Sequence, residues 1–151
     1  MTDIESLFQQ YKDDVYRLAL SYTRSPQEAE DVCQTVFLKL MQNCVTPGKE
    51  RSWLMQVTVN QCRSLLRSHW WRRTEPLEAC PEAAASTEKT DVLAALQTLP
   101  PKYRVVLYLH YYECLSSAEI GKLLHITQSA VTTRLSRGRQ LLKDALKEEA
   151  V

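Results

Sequence analysis

The sequence predicts an all-α protein of two small helical domains joined by a flexible linker. Three observations carry that reading. There are only 3 glycines in 151 residues, apolar residues recur at the helical period over long stretches, and no alternating run is long enough to make a convincing strand. Between residues 74 and 90 the periodicity stops, and "TEPLEACPEAAASTEKT" sets Pro76 and Pro81 among small and acidic residues. The domains are therefore 1–73 and 91–151, and the linker between them, 74–90, reaches roughly 55 Å when extended.

The first helix runs from about Asp3, with Ile4, Leu7, Phe8, Tyr11, Val15, Leu18 and Tyr22 on one stripe and Thr2 and Glu5 at capping-box spacing. In "SPQE" Ser25 can cap, Pro26 suits the first helical position and Glu28 can reach back, so the second helix starts near Pro26. It buries Ala29, Val32, Cys33, Val36, Phe37 and Leu40. Pro47 and Gly48 in "NCVTPGKE" break the chain before a third helix, from about Glu50 to Trp71, that buries Leu54, Val57, Cys62 and Leu65. The second domain begins near Asp91, breaks at Pro100 and Pro101, and resumes as a helix from Lys102 to about Tyr112.

The stretch "SSAEIGKLLHITQSAVTTRLSRGRQLLK" then reads as a helix-turn-helix. Ser116 and Glu119 form a capping box, Ile120, Leu123 and Leu124 give the first short helix a buried edge, and His125 and Ile126 make the turn. Thr127 caps the next helix, whose Val131, Leu135, Gly138 and Leu142 stack on one face. The other face keeps Gln128, Ser129, Thr132, Thr133, Ser136 and Arg137, side chains able to bond phosphates and base edges. A solubilising face would intersperse Glu with Lys. From Gln128 to Lys143 the cations are Arg134, Arg137, Arg139 and Lys143, and there is no acid, which favours a helix that enters the major groove of duplex DNA.

The first domain leaves two faces to explain. On the second helix Leu38 stands apolar among Asp31, Gln34 and Thr35; it is either an ordinary exposed leucine or the anchor of a protein-binding patch with a polar rim, and the residues alone leave both readings open. On the third helix Ser52, Gln56, Asn60, Arg63 and Arg67 recur at near-helical spacing, offering amides for base edges and cations for phosphates. No acid occurs from Arg51 to Arg73, which favours nucleic acid over a merely solvated face. Trp70 and Trp71 could pack or lie against DNA.

The net charge of +1 conceals this segregation. Residues 63–73 carry four Arg and no acid and residues 102–143 seven basic against two acidic residues, whereas 74–90 carry four Glu and one Lys. Five cysteines without a CxxC pair are read as reduced thiols in a cytoplasmic protein, with no metal and no cofactor expected. No apolar run is long enough to insert in a membrane, and "MTDIESLFQQ" lacks the basic start and apolar stretch of a signal peptide. Glu28, Glu30 and Asp31 could suggest a nuclease, but no histidine or distant carboxylate motif joins them; they complement a helix dipole, and the chain is not expected to be an enzyme.

Taken together, "AEDVCQTVFLKL", "RSWLMQVTVNQCRSLLR" and "LPPKYRVVLYLHYYECLSSAEIGKLLHITQSAVTTRLSRGRQLL" resemble, in order, regions 2 and 4 of the extracytoplasmic-function sigma factors of bacterial RNA polymerase. The resemblance implies that the patch of Asp31, Gln34, Thr35 and Leu38 binds core RNA polymerase, with Asp31 and Gln34 at matching contact positions and Phe37 in the core. It implies that Gln56, Asn60, Arg63 and Arg67 serve promoter melting and the minus-ten element, and that the loop 43–50 stands where the family captures a flipped base. By the same resemblance Thr127 to Arg139 forms the minus-thirty-five recognition helix, where Thr127, Gln128, Ser129, Thr132, Thr133, Arg134, Ser136 and Arg137 meet DNA. It also leaves room for an anti-sigma factor as a partner. Thr35 replaces a common Glu, the loop 43–50 is short, Thr132 replaces a frequent Lys, and His125 replaces the usual turn Gly. If that turn needs a left-handed backbone, His125 costs on the order of 1 kcal/mol. The rival reading is a helix-turn-helix transcription regulator whose first domain senses a ligand or partner.

Overall fold

In the computed structural model, residues 4–71 and 94–149 are described, without the side chains of 69–71, 148 and 149; every regular element among them is helical. The chain divides into two compact units, residues 1–77 and 78–151, taken here one at a time. The linker 74–90, Cys80, the indoles of Trp70 and Trp71, and the Thr2 half of the first capping box lie outside the described residues.

The first unit is a three-helix bundle of α1 (Ile4–Thr23), α2 (Pro26–Gln42) and α3 (Glu50–Trp71), each packed on the other two. Arg24 takes a left-handed backbone (φ 58°) just past α1 and its amide bonds Leu20 O at 2.9 Å, which ends that helix without a glycine. The Ser25 hydroxyl accepts from the Glu28 amide at 3.3 Å and Pro26 opens α2, as the sequence indicates. Leu7, Val15, Leu18, Val32, Val36 and Phe37 are buried, while Ile4, Tyr11 and Cys33 are only half-buried and Phe8 is 38% exposed, its ring set edge-on to Phe37 at 5.0 Å.

The core row of α3 differs from the predicted one. Leu54 and Cys62 are buried, but Val57 and Leu65 are half-exposed, and Met55, Thr58 and Val59 take the interior instead. The reason is that α3 contacts both α1 and α2, so it buries two adjacent rows rather than one stripe. Thr58 is tolerated there because its hydroxyl donates to Leu54 O at 2.6 Å.

In the second unit a helical turn at 94–97 precedes α4 (Pro101–Leu107), which continues as a π-helical turn, Tyr108–Tyr112. Tyr108 stacks on Tyr112 with ring centres 5.3 Å apart, and its hydroxyl donates to the buried Glu113 carboxylate at 2.7 Å. Arg104, also buried, holds Leu99 O at 2.7 Å and so ties α4 to the preceding turn. Next come α5 (Ser117–Leu124) and α6 (Gln128–Glu149), with α6 packed on both α4 and α5.

The Ser116–Glu119 capping box is complete, at 3.1 and 3.0 Å. His125 does adopt the left-handed conformation, φ 59° and ψ 44°, so the strain expected of a non-glycine there is present. The turn closes through Ile126 N to Gly121 O at 3.0 Å, and Thr127 Oγ1 accepts from Ala130 N at 3.0 Å to start α6.

Gly121 is needed because a Cβ at that position would meet Ile126 O, a backbone atom, at 2.8 Å. Gly121→Ala should therefore push the turn apart and destabilise the second unit by about 1–3 kcal/mol, read as a lower urea midpoint by circular dichroism. An unchanged midpoint would show that the turn yields without cost.

Candidate functional site

The α2 face is built on one helical row. Asp31, Gln34 and Leu38 are exposed, Leu38 at 57%, and Thr35 is half-buried with its hydroxyl donated to Asp31 O at 2.9 Å. Met41, which the sequence reading did not single out, is 62% exposed one turn beyond Leu38. The two side chains together make an apolar pair rimmed by Asp31 and Gln34, which separates this face from a lone exposed leucine. The signal was there in the i, i+3 spacing of Leu38 and Met41.

On α3, Gln56 Nε2 donates to Asn60 Oδ1 at 3.1 Å, so the two amides are fixed against each other. Asn60 and Arg67 are exposed; Gln56 and Arg63 are half-buried. The outer members of this row are Ser52, Asn60 and Arg67. The loop 43–50 is largely exposed, and it is shaped by Asn43 Nδ2 to Lys39 O at 2.7 Å and by the Gly48 amide to Glu50 Oε1 at 2.6 Å.

On α6, Gln128, Ser129, Thr132, Thr133, Ser136 and Arg137 are all exposed, while Val131, Leu135 and Gly138 are buried opposite them; Thr127 is exposed and Arg134 half-buried. Ser129, Thr132, Thr133, Ser136 and Arg137 line one shallow concavity. The Thr132 and Thr133 hydroxyls each donate to the carbonyl four residues back, Gln128 O and Ser129 O, at 3.0 Å. With that hydrogen committed, both residues present lone pairs and a methyl group outward. Arg139 lies against Tyr111: its Nε donates to the phenol oxygen and its guanidinium sits 5.4 Å from the ring centre.

With these faces in place the comparisons become decisive. Residues 7–72 match the family described as Sigma-70 region 2, and residues 89–142 match Sigma-70, region 4. The chain is 30% identical to the ECF RNA polymerase sigma factor SigM of Bacillus subtilis (strain 168) over 151 residues, covering 93% of each chain. It belongs to the extracytoplasmic-function sigma factors. Another member, SigE of Mycolicibacterium smegmatis, is 32% identical over 160 residues; the alignment takes in 97% of this chain and 62% of that relative's length. The fold is that of the sigma factor RpoE from Bartonella quintana, solved in complex with the anti-sigma factor NepR, with a TM-score of 0.79, 19% identity, and 97% and 98% of the two chains covered.

Two thiols of this sigma factor, Cys62 and Cys33, are drawn into the packing of the first unit. Among the described residues no three His, Cys, Asp or Glu side chains gather closely enough to hold a metal ion, and no helix is long and apolar enough to cross a membrane. Burial, and then the negative charge of Glu28, pushes the Cys62 thiol up from 9.0 to about 12; burial followed by Asp13 and Glu30 pushes Cys33 up as well. Cys44 and Cys114 are exposed.

The Cys62 shift carries a sign. The folded chain keeps this thiol protonated where the unfolded chain ionises near 9, so its contribution is complete below pH 9 and is lost as pH rises towards 12. The loss runs at about 1.4 kcal/mol per unit. Urea midpoints of the parent should fall more steeply between pH 9 and 10.5 than those of Cys62→Ala; parallel curves would show that the thiol ionises freely.

Proposed function

We propose that this chain is the promoter-specificity subunit of bacterial RNA polymerase, binding core enzyme through α2, serving the opened promoter segment through α3 and reading upstream duplex through α6. The observation that carries the reading is the outer face of α6 from Gln128 to Lys143, which holds no acid and whose hydrogen-bonding side chains reach solvent while Val131, Leu135 and Gly138 are turned inward. Matches to both regions, one in each half of the chain, leave the helix-turn-helix regulator with a sensing domain unfavoured.

The work is done by binding, in the cytoplasm where the polymerase is, and needs no cofactor or catalytic residue. Extruding bases from the duplex costs a few kcal/mol, so melting requires contacts that only the single strand can make. In this reading Asn60 and Arg63 of α3 provide them. Thr127, Gln128, Ser129 and Thr132 occupy the N-terminal end of α6, where a recognition helix meets base edges; Thr133, Arg134, Ser136 and Arg137 continue the contact along the groove. Because the Bartonella neighbour was solved with an anti-sigma factor, an anti-sigma partner belongs to the same reading.

The α2 assignment is tested by Leu38→Asp with Met41→Asp. Both side chains are exposed, so helicity should be kept while capture by core polymerase in a pull-down falls at least tenfold. Wild-type capture by the folded variant would remove α2 from the interface.

For α3, alanine at Asn60 and Arg63 should reduce permanganate-detected melting more than it reduces closed-complex formation. An equal loss in both would mean that α3 binds the closed duplex rather than the opened strand.

A further inference from the structure

One cluster at the edge of the α6 face has charges that packing does not account for. Gly138 lets α4 close onto α6: a Cβ there would stand 3.1 Å from Leu107 Cδ1 and 3.4 Å from Tyr103 Cβ. This contact fixes Tyr103, in the first turn of α4, beside Arg137 on the outer face of α6. Lys102 Nζ lies 5.0 Å from the centre of the Tyr103 ring. Arg137, the residue before Gly138, and Lys102 lie close enough to the Tyr103 phenol to pull it below its ordinary value. Lys102 and Arg137 are exposed, and neither meets a carboxylate among the described residues.

Two cations beside one phenol repel each other, and no carboxylate among the described residues pairs with either of them. The arrangement is favourable once an anion joins it, and a phosphate oxygen is the anion that a guanidinium, an ammonium and a hydroxyl bind together. Arg137 also lines the α6 concavity, so the cluster borders the proposed reading face.

We propose that Lys102, Tyr103 and Arg137 form a phosphate clamp, through which the first turn of α4 grips the DNA backbone next to the base pairs met by α6. The inference rests on α6 facing duplex DNA and adds a second element to that contact. Tyr103 acts as a positioning residue and as a ligand: its ring supports Lys102 and its oxygen lies near Arg137. The phenol bears the mark of these neighbours. Partial desolvation pushes it up, but the Arg137 hydrogen bond and the Lys102 charge and hydrogen bond outweigh that and leave it below its ordinary value.

The test uses the full chain assembled with core polymerase, and a duplex that the parent holoenzyme selects from a randomised library. Closed-complex affinity is measured across a potassium chloride series, together with phosphate-ethylation interference. Lys102→Ala should reduce the slope of log K against log salt by about 0.9 and abolish interference at one phosphate, while the selected sequence stays the same. Tyr103→Phe, which keeps the ring and deletes the hydroxyl, should weaken interference at that same phosphate. Arg134→Ala serves as the reference for α6 and should lose a different one. If Arg134→Ala loses its phosphate while Lys102→Ala keeps both slope and interference pattern, the clamp is overturned and the α6 reading survives. If neither variant changes, both fall.

Discussion

Everything the second unit presents depends on how closely α6 approaches its neighbours at two glycines. At Gly138 the helix lies against Leu107 and Tyr103, and at Gly121 the turn preceding it runs almost in backbone contact with α5. Those approaches let Val131 and Leu135 become fully buried, and burying a side chain of that size stabilises by about 1.5–3 kcal/mol. The gain exceeds the roughly 1 kcal/mol of left-handed strain at His125, which explains how the turn can do without a glycine there. With orientation settled from the inner side, the outer residues of α6 carry no packing duty.

Much of this was legible in the sequence, because helix ends are written in local chemistry. Ser25 with Pro26, Ser116 with Glu119, and Thr127 all cap the helices their spacing announces. The outer face of α6 was equally plain, since Val131, Leu135 and Gly138 fall on one side and no acid or apolar residue interrupts Thr132, Thr133, Ser136 and Arg137 on the other. The interior of α3 was not. A helix wedged between two others buries two rows, whereas a periodic stripe describes a single row; the stripe through Val57 and Leu65 therefore misses Met55 and Val59, and the Thr58 hydroxyl hides a third interior position. The Lys102–Tyr103–Arg137 cluster was invisible for another reason: its members are brought together by the α4–α6 contact and share no period.

The structure also changes what the named residues have to offer. A list of Ser, Thr, Asn and Gln on a face suggests an abundance of donors. Yet Thr35, Thr132 and Thr133 each give their hydroxyl hydrogen to a carbonyl one turn back, and Gln56 gives one of its own to Asn60. Thr132 and Thr133 are left with acceptors and methyl groups, which suit an exocyclic amino group or a thymine methyl and not the acceptor edge of guanine. Thr127 differs: its oxygen accepts from the helix amide, so its hydrogen remains available for a phosphate. Three threonines within seven positions thus face outward with two kinds of chemistry.

The arginines of α6 follow a parallel logic. Arg139 is held by Tyr111, and Arg137 lies near enough to Tyr103 to lower its phenol, so two cations two residues apart each neighbour a tyrosine of the segment running from α4 into the π-helical turn. A free arginine loses about 0.5–1.5 kcal/mol of rotamer freedom when it is immobilised at an interface. Part of that cost is already met in the free chain for Arg139, whose guanidinium is confined by the Tyr111 ring and hydroxyl. Lys143, further along the exposed face and with no such anchor among the described residues, must bear the whole cost itself. Equal formal charges along one helix therefore need not contribute equally to holding a phosphate backbone, and the difference originates in the aromatic residues of the preceding helix rather than in α6.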